Sequence, residues 1–440
     1  MKRYLRKTML LLMLTIAVCL LGGCQFTASV EDLLTLPQMP LEYTGLSKEI
    51  DSLIAGGYEY TSPTSGQNIQ SVQMVDLNND GDEEAVAFFR RSEDEKPLKI
   101  VVFWPEEDTY RRICTIESSG TDIERVSYQD LTGDGTKELI VGWKIGTDVQ
   151  TVAVYEIAAK PVTLMRSGYT RFTVQVMDAA SSTEPANLVV LRSTVEGKSV
   201  AELYQWKDNS LSVSSTCALS STMAELNRGS ITAGNIDDRT RGLYVTGVND
   251  RNQAVTDILV CKDGALTNVV ANSRTGLSSV TYPYCQIMPQ DINGDGVVET
   301  PDSRQGTERK TNDGIISWRR YDSDGQAFWV EDTYHCLSDG WYFTLDNDWH
   351  NRITATAKDN AAESRVTWYV DGEAVAVLYT ISGDNRENRA TQGNRFILRR
   401  QTAVIFAGEL LAGGEELGLD ENFLRENFNL IMGTWASADN

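Results

Sequence analysis

Histidine is nearly absent from this chain of 440 residues, which has only His335 and His350. That scarcity argues against His-cluster metal sites and most histidine-based acid–base catalysis. Cations are also in deficit, with 40 Lys and Arg against 62 Asp and Glu and a formal charge of −22. Phosphate binding needs clustered Lys and Arg, so nucleic acid is not an expected partner, and neither is a basic membrane-surface patch. The chain has no Cys-x-x-Cys pair, which argues against zinc. It also lacks His-Glu-x-x-His, Gly-x-Ser-x-Gly, a phosphate loop and a dinucleotide fingerprint. No apolar run of membrane-spanning length follows residue 21. What remains is 41% hydrophobic and 23% charged, a globular composition. The length suits two to three domains, or one repeat array with an extra domain.

The N-terminus reads as an export signal. Lys2, Arg3, Arg6 and Lys7 precede an uncharged apolar run from Thr8 to Leu21, which ends in Leu21-Gly22-Gly23-Cys24. Small residues directly before a cysteine resemble the bacterial lipobox. That resemblance implies cleavage after residue 23, lipidation of Cys24 and anchoring of the mature chain to the cell membrane on its extracytoplasmic side. Beyond Cys19 and Cys24 come Cys114, Cys217, Cys261, Cys285 and Cys336. Their odd number and wide spacing suggest buried small hydrophobes rather than a disulfide framework.

The strongest signal is a repeat. The loops Asp76-Leu-Asn78-Asn-Asp80-Gly-Asp82-Glu-Glu84, Asp130-Leu-Thr132-Gly-Asp134-Gly-Thr136-Lys-Glu138 and Asp291-Ile-Asn293-Gly-Asp295-Gly-Val297-Val-Glu299 fit one pattern, Asp-x-[Asn/Thr]-x-Asp-Gly-x-x-Glu. Strand-like apolar runs flank each. Two weaker copies, near Asp178 and near Gly234 to Asp238, keep the apolar runs but have lost the acidic residues. A spacing of about 48 to 57 residues implies a solenoid, propeller or array. Each loop and its outgoing strand lead into a second hairpin-like pair. For the last copy this pair is Ala327–Val330 and Thr333–Cys336. Four strands per repeat is the content of a propeller blade, and no helical period appears across residues 70–336.

These loops between short strands resemble the FG-GAP/VCBS repeats of integrin-like β-propellers. The resemblance covers about residues 70–336 and implies a mainly β fold. A five-bladed ring is the first expectation, and a six-bladed ring using flanking strands is the second. In the loops, positions 1, 3 and 5 place side-chain oxygens on one side of a tight turn. Position 7 (Asp82, Thr136, Val297) offers a backbone carbonyl, and position 9 adds a carboxylate. Such hard oxygen ligands suit a structural Ca²⁺. The competing reading is a set of Asx-turns without an ion. An EF-hand would need Glu at position 12 and flanking helices, but the residues there are Ala87, Val141 and Asp302. Asp302 also gives the third loop a likeness to the first half of a dockerin, yet the leucine-rich helix does not follow.

Outside the repeats, residues 24–69 read as a tether with a short helix from Ser47 to Ala55, capped by Ser47 and ended by Gly56-Gly57. Residues 337–440 read as a small antiparallel α+β domain. Its strands are expected near 341–345, 352–356, 366–370, 374–379, 395–398 and 402–406, with a helix from Asp420 to about Met432. Its Trp-Tyr-Phe-Thr-Leu pattern resembles the C-terminal module of uncharacterised lipoproteins of Gram-positive gut bacteria. His335 reads as core or strand-edge packing, and His350 as a surface turn residue. The expected function is a non-catalytic, Ca²⁺-stabilised lipoprotein that holds a protein or glycan. The alternative is an extracellular carbohydrate-active enzyme using paired carboxylates on a propeller fold.

Overall fold

The structure is a computed structural model, and it describes residues 44–107, 109–146, 149–175, 185–237, 239–283, 287–303, 313–360 and 362–431. The leader, Cys24, Asp178, Asp238, Cys285 and Met432 lie outside these residues. The chain divides into two compact units. One comprises the residues up to Gly56 with Pro105–Arg111, and the other Gly57–Trp104 with Arg112 onward.

In the first unit, α1 runs Thr44–Ala55. It starts three residues before the expected Ser47 cap, so Ser47 lies inside the helix. Leu46 and Ile50, one turn apart, are both buried. The Gly56 N–H donates to the Ser52 and Leu53 carbonyls, and Gly57 turns the chain at φ +86°. A left-handed glycine is the usual way to end a helix.

The second unit is mainly β, in antiparallel sheets; the strand ends Pro105–Glu106 and Thr109–Arg111 in sheet one belong to the first unit. Sheet one contains β1 (Glu59–Tyr60), β2 (Val72–Val75), β3 (Glu84–Arg90), β4 (Leu98–Glu106) and β5 (Thr109–Ser118). Here β1 and β2 pair end to end along one edge of β3. Sheet two is the meander β6 (Asp122–Gln129), β7 (Glu138–Lys144), β8 (Gln150–Glu156) and β9 (Val162–Gly168). Sheet three is β10 (Arg171–Gln175), β11 (Asn187–Ser193), β12 (Ser199–Lys207) and β13 (Ser210–Ala218). Sheet four is β14 (Ser230–Asn235), β15 (Arg241–Val248), β16 (Ala254–Lys262) and β17 (Ala265–Asn268), with β18 (Thr281–Tyr282) also on β16.

The inner strands of these sheets read as continuous apolar runs because both of their faces are covered. In β7, Leu139, Val141 and Trp143 pack with Phe88, Ile100 and Val102 of sheet one. Ile140, between them, packs with Leu188 and Val190 of sheet three. The alternation continues onward, with Val189 and Leu203 meeting Leu243 and Leu259 of sheet four. Each such side chain contributes about 1.5–3 kcal/mol on full burial.

Sheet five has the order β19 (Thr300–Ser303), β20 (Gly314–Tyr321), β21 (Ala327–Cys336), β22 (Trp341–Thr344) and β28 (Phe428–Leu430). Sheet six has the order β23 (Ile353–Asn360), β24 (Glu363–Val370), β25 (Glu373–Ser382), β27 (Val404–Leu410) and β26 (Phe396–Arg400). An aromatic core of Tyr334, Trp341, Phe343, Trp368, Phe406 and Phe428 joins the two.

Several expectations change here. Residues 327–336 form one strand, because Gly314 to Tyr321 ladders along the whole of it. The expected helix from Asp420 stops early. Asp420 accepts from the Phe423 N–H and caps α3 (Glu421–Glu426), and the following residues become β28, paired to β22. The boundary expected at 336/337 therefore falls inside sheet five. The tether expected up to residue 69 is shorter. Residues 59–60 join sheet one, and the Thr64 N–H and Asn68 amide bond to β6 carbonyls. A helix also stands where none was expected. In α2 (Met223–Asn227), Thr222 and Glu225 form a reciprocal capping box.

Candidate metal centre

The three acidic loops sit at one joint, between an incoming residue and the strand that pairs with it. Val75 pairs with Glu84 and Gln129 with Glu138, while Gln290 bridges to Glu299. The position-9 glutamate thus starts the outgoing strand, or in the third loop stands one residue before it, and bonds back into its loop. It accepts the N–H of position 2 in each copy, from Leu77 at 2.6 Å, Leu131 at 2.7 Å and Ile292 at 3.1 Å. The position-1 aspartate accepts from the position-6 glycine: Gly81 to Asp76 at 3.1 Å, and Gly135 to Asp130 and Gly296 to Asp291, both at 2.9 Å. Those glycines have φ of +96°, +89° and +87°, a region that disfavours a Cβ. The position-5 aspartates Asp80, Asp134 and Asp295 accept from the N–H of Asp82, Thr136 and Val297 at 2.8 Å each. Asn78 and Asn293 donate to Asp80 and Asp295, while Thr132 donates to Glu138 Oε1 at 3.1 Å.

These are Asx-turns, and they do not satisfy every oxygen. Glu84, Glu138 and Glu299 are 1%, 2% and 0% exposed. Glu84 Oε1, Glu299 Oε1 and Asp76 Oδ1 are buried with no hydrogen-bond partner. Burial raises the carboxyls of Glu84 and Glu138 above their ordinary range and pushes Glu299 up to about 7; neighbouring aspartates add to each rise. A buried, unbalanced carboxylate is costly, and a cation would remove the cost. Among the described residues, Asp130, Asp134 and Glu138 form a tight group, with ligand oxygens all within 4.8 Å of one another. An all-oxygen donor set fits a hard divalent cation.

Asp82 is exposed. Asp302, at position 12 of the third loop, pairs with Arg319 Nε at 2.6 Å. Consecutive loops are joined to one another. The Lys137 N–H donates to Leu77 O and its Nζ to Asp76 O, both at 2.7 Å. Farther along the chain, the Val298 N–H donates to Asn235 O at 2.9 Å.

The two weaker copies keep the joint and change its chemistry. Gln175 pairs with Asn187, and Asn235 with Arg241. Asn187 is buried and neutral, and it is satisfied by Gln205 at 2.9 Å and Pro185 O at 3.1 Å. Arg241 is exposed. The buried glutamate occurs only where the aspartates also occur.

The histidines fall elsewhere. His335 is fully buried and stacks on Tyr342. His350 is not a plain surface residue. Its Nδ1 lies 2.8 Å from Asp332, which is buried and also accepts from Ser317 and Trp329. Sequence reasoning missed this cluster, because Ser317, Asp332 and His350 are far apart in the sequence and meet only in the fold. Glu331, beside it, is pushed up to about 7 by burial and by Asp332 and Asp295. Cys114, Cys217, Cys261 and Cys336 form no disulfide. No helix among the described residues is long and apolar enough to cross a membrane.

No protein-family model matches the chain, and a search of curated proteins returns no match. Among solved structures, the exotype rhamnogalacturonan lyase YesX is similar at 12% identity over 72% of both chains, with a TM-score of 0.29. The rhamnogalacturonan lyase PL11 of Bacillus licheniformis is similar at 11% identity over 72% of this chain and 71% of its own, also with a TM-score of 0.29.

Proposed function

We propose that this protein is a membrane-anchored extracytoplasmic lipoprotein whose repeated sheets form a β-propeller. Structural Ca²⁺ staples the propeller, which holds a protein or glycan partner without catalysis. The observation that carries the reading is the repeated buried glutamate, with an oxygen left unpartnered in the first and third loops. Three loops with one hydrogen-bond pattern repeat a charge deficit that a divalent cation would fill. The propeller arrangement draws support from successive four- and five-stranded antiparallel sheets that share cores with their neighbours. Membrane anchoring draws on Leu21-Gly22-Gly23-Cys24.

The test is a melting curve of the purified chain in excess EDTA and in millimolar Ca²⁺. An ion that binds only the folded state adds about 2.7 kcal/mol at a hundred times its Kd and raises the midpoint by several degrees. An unchanged midpoint would reduce the loops to plain Asx-turns. For the anchor, Cys24→Ser should move the protein from the membrane fraction to the soluble one.

A further inference from the structure

Position 4 of the acidic loop is Gly133 in the second copy and Gly294 in the third, at φ +81° and +78°. The first copy carries Asn79 there, at φ +58°. A side chain in that left-handed region costs more than glycine, although asparagine tolerates it better than most residues. The amide so placed works outside its own loop, because Asn79 Nδ2 donates to Gly135 O of the second loop. In the other direction, half-buried Lys137 donates from its N–H to Leu77 O and from Nζ to Asp76 O.

Two relays therefore run between the two sets of oxygens. In one, Glu84 Oε2 accepts from the Leu77 N–H, Leu77 O accepts from the Lys137 N–H, and Lys137 directly precedes Glu138. In the other, Asn79 holds Gly135 O while the Gly135 N–H donates to Asp130 at 2.9 Å. Each end has room for positive charge. Glu84 Oε1 and Asp76 Oδ1 are buried and unpartnered in the first loop, and Asp130, Asp134 and Glu138 converge in the second. The Ala186 N–H makes a similar step to Asp130 O at 2.8 Å, and the Val298 N–H to Asn235 O. Those bonds join an acidic loop to one of the weaker copies.

We infer that the first and second loops bind their cations as a coupled pair, with Lys137 and Asn79 as the positioning residues that carry the coupling. An ion on Asp76 and Glu84 fixes the Asp76 and Leu77 carbonyls, and through them the backbone beside Glu138. An ion in the second loop fixes the same bonds from the other side, and linkage makes the effect reciprocal. Charge opposes it, since the first ion weakens the negative field that draws the second. That field is screened over about 8 Å at physiological ionic strength, whereas chained hydrogen bonds act directly, so the sign is positive. The inference rests on reading the loops as cation sites.

Calorimetric titration of the purified full chain with CaCl₂, at about 0.15 M NaCl, tests it. Asp295→Ala leaves the first and second loops as a pair. Adding Asp80→Ala or Asp134→Ala leaves one of them alone. The product of the pair's two binding constants should exceed that of the separate loops by at least about fivefold. The second and third loops, left by Asp80→Ala and separated in the chain by both weaker copies, should show no such excess. Lys137→Met with Asn79→Gly, in the Asp295→Ala background, should remove most of it. Melting in EDTA checks each fold. Should that combination not fold, Asn79→Gly alone decides, since it copies the glycine of the other two loops. Independent binding by the pair, a second ion bound more weakly, or an excess that survives the substitutions would overturn the inference and leave the cation sites standing. No heat from CaCl₂, with an unmoved melting curve, would remove the sites and the coupling with them.

Discussion

A buried glutamate opens β3 of sheet one and β7 of sheet two, and Glu299 stands just before β19 of sheet five, whereas Asn187 opens β11 of sheet three and Arg241 opens β15 of sheet four. The flanking residues pair antiparallel in all of these sheets, although the segments between them differ in length, so an acidic loop is not needed for that pairing. Asn187 closes the joint with two neutral hydrogen bonds and leaves no charge behind. Glu84 and Glu299 close it with one oxygen bonded and the other bare. Carrying the costlier residue makes physical sense if something positive completes it.

The largest expected effect comes from removing the proposed metal ligands. Asp80→Ala, Asp134→Ala and Asp295→Ala together should abolish Ca²⁺ stabilisation of about 2.7 kcal/mol per loop at a hundred times Kd, as read by calorimetry. Asn187→Ala and Arg241→Ala should leave that stabilisation intact.

Next is pH dependence without metal. The Glu299 carboxyl moves from 4.5 to about 7 on folding, so the folded state prefers it protonated. Relative to this group, EDTA-treated protein should be most stable below pH 4.5. It should lose on the order of 3 kcal/mol as pH rises to about 7. Glu299→Gln should flatten that part of the profile, and urea melts across the pH range would show whether it does.

A transplant should cost less. Asn187→Glu puts the buried carboxylate into a sheet without aspartates, and should cost about 1–3 kcal/mol with no recovery in Ca²⁺. Recovery would mean that the glutamate alone makes a site. The smallest effect tests a device on the acid-poor side. Thr222→Ala should remove the α2 capping box for about 1 kcal/mol, equally with and without Ca²⁺.

The strands and acidic loops were legible in the sequence because both signals are local. Asp-x-Asn-x-Asp-Gly needs only its own turn, and a strand buried on both faces shows as a run such as Leu139 to Trp143. The capping box of α2 was also written locally, in Thr222-Met-Ala-Glu225, but its helix is too short to show a period. The end of α3 was not legible. Phe423, Leu424 and Phe428 suit a helix face, and only pairing with β22 turns Phe428–Leu430 into a strand. The bare oxygens of Glu84 and Glu299 and the Asp332–His350 contact depend on three-dimensional neighbours that no spacing reveals.

The late strand β28 also sets an order of events. Sheets one to four pair strands close in sequence, so each can form as soon as its own repeat is available. Sheet five cannot, because β22 waits for residues 428–430, and all of sheet six lies in between. A chain emerging N-terminus first would therefore complete its early repeats while the fifth still shows an open edge. That edge, covered last, is where an arrested or truncated chain would meet another copy of itself.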